Sequence, residues 1–279
     1  MNLKVDTGAY FERIGYSGPQ KPTPEVLKEL HLLHPRAIAF ENLNPFMRLP
    51  VPLDAPSIQK KLLFENRGGY CFEQNSLFRL VLEELGFKVK GLAARVRWNV
   101  PEDRITPRGH MLLLVETEGR RYISDVGFGG MVLTALLLLK LDIVQETPHE
   151  PFQLKIVNEN YVVQANVRKE WKTLYSFNLS EHLKEDYEIT NWYLCNHPKS
   201  HFVTGLMAAR PDTDPARRYT LNGNLFSVHR LNGETKKIEL SSVGELKEIL
   251  GQIFGITLPD LPETDIALKR IVENKEITA

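Results

Sequence analysis

A chain of 279 residues with 42% apolar content can bury real cores, which excludes an intrinsically disordered protein. Lysine plus arginine and aspartate plus glutamate number 35 each, so no net charge draws it to nucleic acid, and Arg217-Arg218 is a basic pair rather than a patch. Two cysteines allow at most one disulfide, and free thiols in a reducing compartment are the simpler reading.

The N-terminal stretch carries Lys4, Asp6, Glu12 and Arg13 and lacks the apolar segment of a signal peptide, so a cytoplasmic protein is expected. Thr23-Pro24-Glu25 reads as an N-cap, an N1 proline and an acidic first turn, opening a helix through Val26, Leu27, Leu30 and Leu33 up to Pro35. A second helix is expected from about Ser57 to Glu65. A third begins at Cys71, with Phe72, Leu77, Leu80, Val81 and Leu85 at helical spacing and Gly86 as its stop.

From Lys88 the texture changes to short β-rich segments: Val89 to Trp98, Gly109 to Glu116, Arg120 to Val126, Phe152 to Val157 and Tyr161 to Arg168, with a hairpin turn at Asn158-Glu159-Asn160. The longest apolar run, Met131 to Leu139, is shorter than the roughly 20 residues of a membrane span and is broken by Thr134 and stopped by Lys140. After about Asn196, hairpin signals stand at Asn222-Gly223 and Asn232-Gly233. A helix capped near Ser242 and a last helix from Glu263 to Asn274 follow. No repeat or low-complexity linker separates these regions, so close packing is expected.

The segment Arg67-Gly68-Gly69-Tyr70-Cys71-Phe72-Glu73 delivers a thiol to the first turn of a helix. That end of the helix dipole favours a negative charge by about 0.3–1 kcal/mol, while one pKa unit is worth about 1.36 kcal/mol. A helix start alone cannot activate the sulfur, and a base is required. The two strands Gly109 to Glu116 and Arg120 to Val126 supply one. With Glu118-Gly119 as the loop, Asp125 falls opposite Leu112 and diagonal to His110; with Thr117-Glu118 it faces His110 directly. In both registers the imidazole and carboxylate share a face, their backbones within about 4.5–8 Å. A histidine held by a carboxylate at one nitrogen can take the thiol proton at the other, and the imidazolium then stabilises the thiolate. Backbone N–H groups near Cys71 and Phe72 are candidates for holding an oxyanion.

Arg67-Gly68-Gly69-Tyr70-Cys71-Phe72-Glu73-Gln74-Asn75 resembles the active-site motif of the arylamine N-acetyltransferases. Phe40-Glu41-Asn42-Leu43, Gly109-His110, Asp125-Val126-Gly127-Phe128-Gly129-Gly130 and Thr147-Pro148-His149-Glu150-Pro151-Phe152 follow in the family's order. The resemblance is strong over residues 23–152 and thins afterwards. It implies an α+β protein with an N-terminal helical bundle, a central β-barrel and a C-terminal α/β lid around a cysteine-proteinase-like core. The corresponding domains are residues 1–88, carrying the nucleophile, 89–196, carrying histidine and aspartate, and 197–279. It implies Cys71 as acetylated nucleophile, His110 as base and later acid, and Asp125 as orienting carboxylate. Acetyl-CoA is the implied co-substrate, with ping-pong transfer to an arylamine or hydrazine. Phe128, with Phe40 and Phe202, is the implied acceptor wall. Gly127, Gly129 and Gly130 are the candidate coenzyme contacts, since bare backbone can approach phosphates although this loop lacks the lysine and helix of a P-loop. No metal, nucleic-acid or membrane partner is expected, and the chain is expected to be a monomer or weak homo-oligomer. One stretch departs from the pattern: Ala135-Leu136-Leu137-Leu138-Leu139 replaces a segment in which relatives carry a proline and an arginine.

Other constellations compete with this one. Cys195-Asn196-His197 is a rival thiol–imidazole pair on an expected strand, without a carboxylate nearby. His197 and His201 have the H-x3-H spacing of a helical metal site, though Pro198 opposes the helix. Glu41 and Arg67 suggest an ion pair fixing the entry to the Cys71 helix. The same triad also fits a papain- or transglutaminase-type hydrolase, or an acyltransferase closing an amide within a polyketide. A binding protein that kept the fold would not need Cys71.

Overall fold

Asp6 caps helix α1 (Thr7–Ile14) by accepting the Ala9 N–H, and Thr23 does the same for Val26 at the start of α2 (Pro24–Ala37). The second helix continues two residues past its expected end, because the N–H missing at Pro35 falls in the final turn and little is lost there. Short strand β1 (Phe40–Glu41) and one-turn helix α3 (Leu43–Phe46) follow. The helix expected over 57–65 is α4 (Ala55–Gln59) running into a π-helical turn, Lys60–Phe64, whose wider pitch turns Lys61 into the interior. Helix α5 (Cys71–Glu84) begins and ends where its apolar spacing places it, with Gly86 at φ 89° just beyond. This computed structural model describes residues 4–101, 103–231 and 233–273.

Seven antiparallel strands form the second unit: β2 (Lys88–Val96), β3 (His110–Thr117), β4 (Arg120–Ser124), β5 (Leu137–Leu138), β6 (Phe152–Val157), β7 (Asn160–Val167) and β8 (Glu170–Phe177). Their order is β5-β4-β3-β2-β8-β7-β6. Gln145 links the two edge strands. Its backbone exchanges hydrogen bonds with Phe152 of β6 at 2.8 and 2.9 Å, and its side-chain amide does so with Leu138 of β5 at 2.8 and 3.0 Å. A glutamine amide thus stands in for the missing ladder, and the sheet becomes a nearly closed barrel.

Strands β2 and β3 are buried on both faces, which accounts for the unbroken apolar run Met111–Val115. Ala93, Met111, Leu113 and Val115 pack on the helices, while Leu92, Ala94, Leu112 and Leu114 fill the barrel. The helical cluster also takes in Tyr187, Leu194 and Cys195 from α6 (Lys184–Asn196), which leads to the one-turn helix α7 (His201–Thr204).

The third unit is a five-stranded antiparallel sheet that recruits β1: its order is β1 followed by β9 (Met207–Pro211), β10 (Arg217–Asn222), β11 (Leu225–Arg230) and β12 (Lys236–Glu239). Helices α8 (Val243–Glu248), capped by Ser242, and α9 (Pro262–Glu273) cover its core. The β10–β11 turn falls on Gly223-Asn224, one residue later than expected, because Gly223 supplies the positive φ of 59° at the first loop position. Asn232 and Asn274, on which two of the expectations rest, lie outside the described residues.

Candidate active site

Two glycines let the chain pass between β1 and α5. A Cβ on Gly68 would lie 2.2 Å from the Ala39 carbonyl oxygen, and one on Gly69 would lie 2.8 Å from a Glu73 carboxylate oxygen. The Gly69 N–H donates to Ala39 and its carbonyl accepts from Glu41, so the turn is hydrogen-bonded to the strand beside it. Glu73, in the first turn of α5, accepts the Tyr70 N–H at 3.0 Å and fixes the start of the helix one residue before the thiol.

The expected Glu41–Arg67 pair is present and belongs to a larger buried network. Glu41 meets Arg67 at 2.9 Å and Lys61 at 3.5 Å, Lys61 meets Glu73 at 2.7 Å, and the second Glu41 oxygen accepts the Leu43 N–H at 2.5 Å. Burial alone would lift the Glu41 carboxyl, but Arg67, Lys61 and the Leu43 N–H hold it below its ordinary range. Burial raises Glu73, with Lys61 opposing it. Two positive and two negative groups thereby tie β1, the π-helical turn, the glycine turn and α5 together.

The β3–β4 hairpin adopts the register in which Glu118 and Gly119 form the loop, with φ values of 49° and 70°. Asp125 is therefore diagonal to His110, and the ladder stops at Ser124, leaving the carboxylate free to turn. It does so: His110 Nε2 stands 2.7 Å from Asp125 Oδ2, both side chains buried. The Cys71 sulfur lies close enough to the same ring to act on its charge, with its Sγ 3.9 Å from the Gly109 carbonyl oxygen; Cys71 is 4% exposed. Burial would push His110 down, but the Asp125 charge and hydrogen bond and the neighbouring sulfur raise it to about 10. Asp125, which burial would lift, is held low by His110, the Gly127 N–H and Asn75. An imidazole that keeps its proton at neutral pH, beside a sulfur, is suited to stabilise a thiolate.

Three orienting residues escaped the sequence reading. Asn75 donates to Asp125 Oδ1 at 3.2 Å and to the Met111 carbonyl at 2.9 Å, while its own oxygen accepts the Val126 N–H. Its signal was available, since a residue four positions after Cys71 shares its helix face. His31, pushed down to about 4 by burial and hence neutral, accepts the Asp125 N–H at 3.2 Å. Gln74 holds the glycine turn by donating to the carbonyls of Ala39 and Gly69, and its oxygen meets His34 at 2.7 Å.

Aromatic rings line two sides. Phe128 lies edge-on to His110 at 4.9 Å and beside Tyr175 at 4.9 Å. Phe40 and Phe202 are 6.3 Å apart, Phe202 packs on Tyr70, and the Phe40 ring closes over the bare Cα of Gly129. Gly127 uses its N–H on Asp125 at 3.0 Å, and a Cβ there would fall 2.8 Å from Cys71 Cα. Leu137 and Leu138 of the unusual apolar stretch form β5 beside β4.

The rival constellations dissolve. Cys195 sits on a helix, not a strand, with its Sγ 3.5 Å from the Tyr70 hydroxyl, and burial pushes its thiol up to about 11. His197 falls after α6, stacked on Tyr193, and His201 opens α7, so they share no helix face. Among the described residues no group of three or more His, Cys, Asp or Glu is placed to hold a metal ion, and no helix is long and apolar enough to cross a membrane.

A family model described as N-acetyltransferase matches residues 23–262. The chain is 42% identical over 275 residues to the arylamine N-acetyltransferase of Mycobacterium tuberculosis, covering 97% of this chain and 96% of that protein. It is 36% identical over 253 residues to the arylamine N-acetyltransferase / N-hydroxyarylamine O-acetyltransferase of Salmonella typhimurium, covering 91% and 89%. The structure of Mycobacterium marinum arylamine N-acetyltransferase in complex with CoA superposes with a TM-score of 0.91 at 42% identity, over 96% of this chain and 99% of that one.

Proposed function

Because the chain belongs to the arylamine N-acetyltransferase family, we propose that Cys71, His110 and Asp125 pass an acetyl group from acetyl-CoA to an arylamine or hydrazine in two half-reactions. The buried 2.7 Å contact between His110 and Asp125, with the Cys71 sulfur close by, carries this reading. In the first half, the Cys71 thiolate attacks the thioester carbonyl carbon, the carbon–sulfur bond to coenzyme A breaks, and the His110 imidazolium protonates the departing thiolate. Backbone N–H groups at the start of α5 face the developing oxyanion. In the second half, the amine nitrogen attacks the acetyl-cysteine carbonyl, the now neutral His110 takes the amine proton, and Cys71 leaves as a thiolate beside the restored imidazolium.

Phe128, Phe40 and Phe202 would wall the acceptor site, where ring packing adds about 0.5–1.5 kcal/mol beyond buried area. Gly129 and Gly130 leave the backbone bare for the donor, while Gly127 serves the triad. An oxygen acceptor, as the name of the Salmonella relative states for that protein, would need only the same proton transfer. The two free thiols fit a cytoplasmic setting. Intact-protein mass spectrometry after incubation with acetyl-CoA is expected to show one acetyl adduct, mapped to Cys71, that an aniline discharges as the acetanilide. An unmodified Cys71 overturns the reading; an adduct that discharges only to free acetate makes the protein a hydrolase.

A further inference from the structure

The loop that carries Phe128 is pinned at both ends by different parts of the molecule. Upstream, Gly127 is bonded to Asp125 and packed on Cys71. Downstream, after a single 3-10 turn at Gly129–Met131, the carbonyls of Val132 and Gly130 accept from one guanidinium nitrogen of Arg218, at 3.1 and 3.5 Å. Arg218 belongs to β10 of the C-terminal sheet and is 4% exposed. Its remaining donors meet Glu150 side-on, at 3.1 Å to one oxygen and at 2.9 and 2.6 Å to the other.

We propose that Arg218 and Glu150 form a positioning pair that holds Phe128 in place beside His110 and thereby sets acceptor affinity in the second half-reaction. This rests on the reading of Phe128 as an acceptor wall. Charge neutralisation alone would need only Glu150; the guanidinium reaches two loop carbonyls as well, which one ammonium cannot span together with a carboxylate. Nothing in the pair touches the groups that orient Asp125, which are Asn75, Gly127 and His31. The strand bearing Arg218 also has a second tether. Burial drives His149 down to about 4, so its neutral ring donates from Nε2 to the Arg217 carbonyl at 3.0 Å and accepts at Nδ1 from Thr134. Replacing Arg218 therefore frees the loop without releasing the strand.

The test uses the full chain, an aniline as acceptor, and the variants Arg218→Lys, Glu150→Gln and Phe128→Ala. For Arg218→Lys, the acceptor KM is expected to rise about tenfold through loss of charged hydrogen bonds. At saturating acetyl-CoA, which removes any loss of donor binding at Gly130 from the readout, single-turnover acetylation of Cys71 is expected to stay within about twofold of wild type. In a Phe128→Ala background, Arg218→Lys adds less than about a further twofold. Glu150→Gln, which keeps the side-chain shape, carries the same expectation should the lysine variant not fold. Equal losses in both half-reactions, an unchanged acceptor KM, or full additivity with Phe128→Ala overturn the proposal. If Phe128→Ala itself leaves the acceptor KM unchanged, the acceptor-wall reading is what has failed.

Discussion

Replacing Glu41 by glutamine removes one charge from the network beneath the glycine turn and changes almost no volume. Glu41 is fully buried, with Arg67 at 2.9 Å and Lys61 at 3.5 Å, so the variant leaves two buried cations facing Glu73 alone. Breaking a buried ion pair from one side costs about 3–5 kcal/mol. The amide retains part of the hydrogen bonding, which puts the expected loss nearer 3 kcal/mol, since a hydrogen bond to a charged group is worth about 1.5–3 kcal/mol. For a protein of this size that corresponds to a fall in Tm of about 6–12 °C. The Glu41 carboxyl is held low in the folded state, so its stabilisation is fully present above its ordinary range and is lost as pH falls through the folded value. Glu41→Gln should therefore flatten the acid limb of the stability curve. Calorimetry across pH 3–8, with kcat/KM for an arylamine, measures both effects. A Tm within about 2 °C of wild type, with unchanged activity, would refute the reasoning.

Gly127→Ala places a methyl group 2.8 Å from Cys71 Cα and from Asn75 Nδ2, and should lower kcat/KM more than tenfold while costing about 1–3 kcal/mol of stability by overpacking. Urea unfolding and steady-state kinetics check both. Gln145→Ala removes the two amide hydrogen bonds that bridge β5 and β6, at 2.8 and 3.0 Å. Its expected cost is about 1–3 kcal/mol, with hydrogen exchange accelerating first in β5. The raised pKa of His110 contributes stability that is fully present below its unfolded value of 6.5 and is lost as pH rises through about 10. Asp125→Asn should abolish that alkaline dependence in unfolding titrations.

The grouping of Cys71, His110 and Asp125 was legible because each carries a local constraint: two glycines before Cys71, and a hairpin parity that puts His110 and Asp125 on one face whichever two-residue loop forms. The helix α5 and most strands were legible for the same reason, since periodicity and turn residues act over a few positions. What stayed hidden depends on distant partners. Strand β1 is two residues long and takes its place in the C-terminal sheet only through β9. Lys61 turns inward only through the π-helical turn, and Gln145 finds its partners only where two sheet edges meet. Cys195 reads as a strand residue in Cys-Asn-His, because neither its helix nor its contacts with Tyr70 and Asn191 show in three residues.

The central claim is that Asp125 keeps His110 protonated beside Cys71 at neutral pH. NMR titration of the histidine-labelled protein reads it directly: the His110 ring is expected to hold its proton through neutrality and release it near pH 10, moving towards 6.5 in Asp125→Asn. A His110 titrating near 6.5 in the unaltered protein, indifferent to Asp125, would contradict the account.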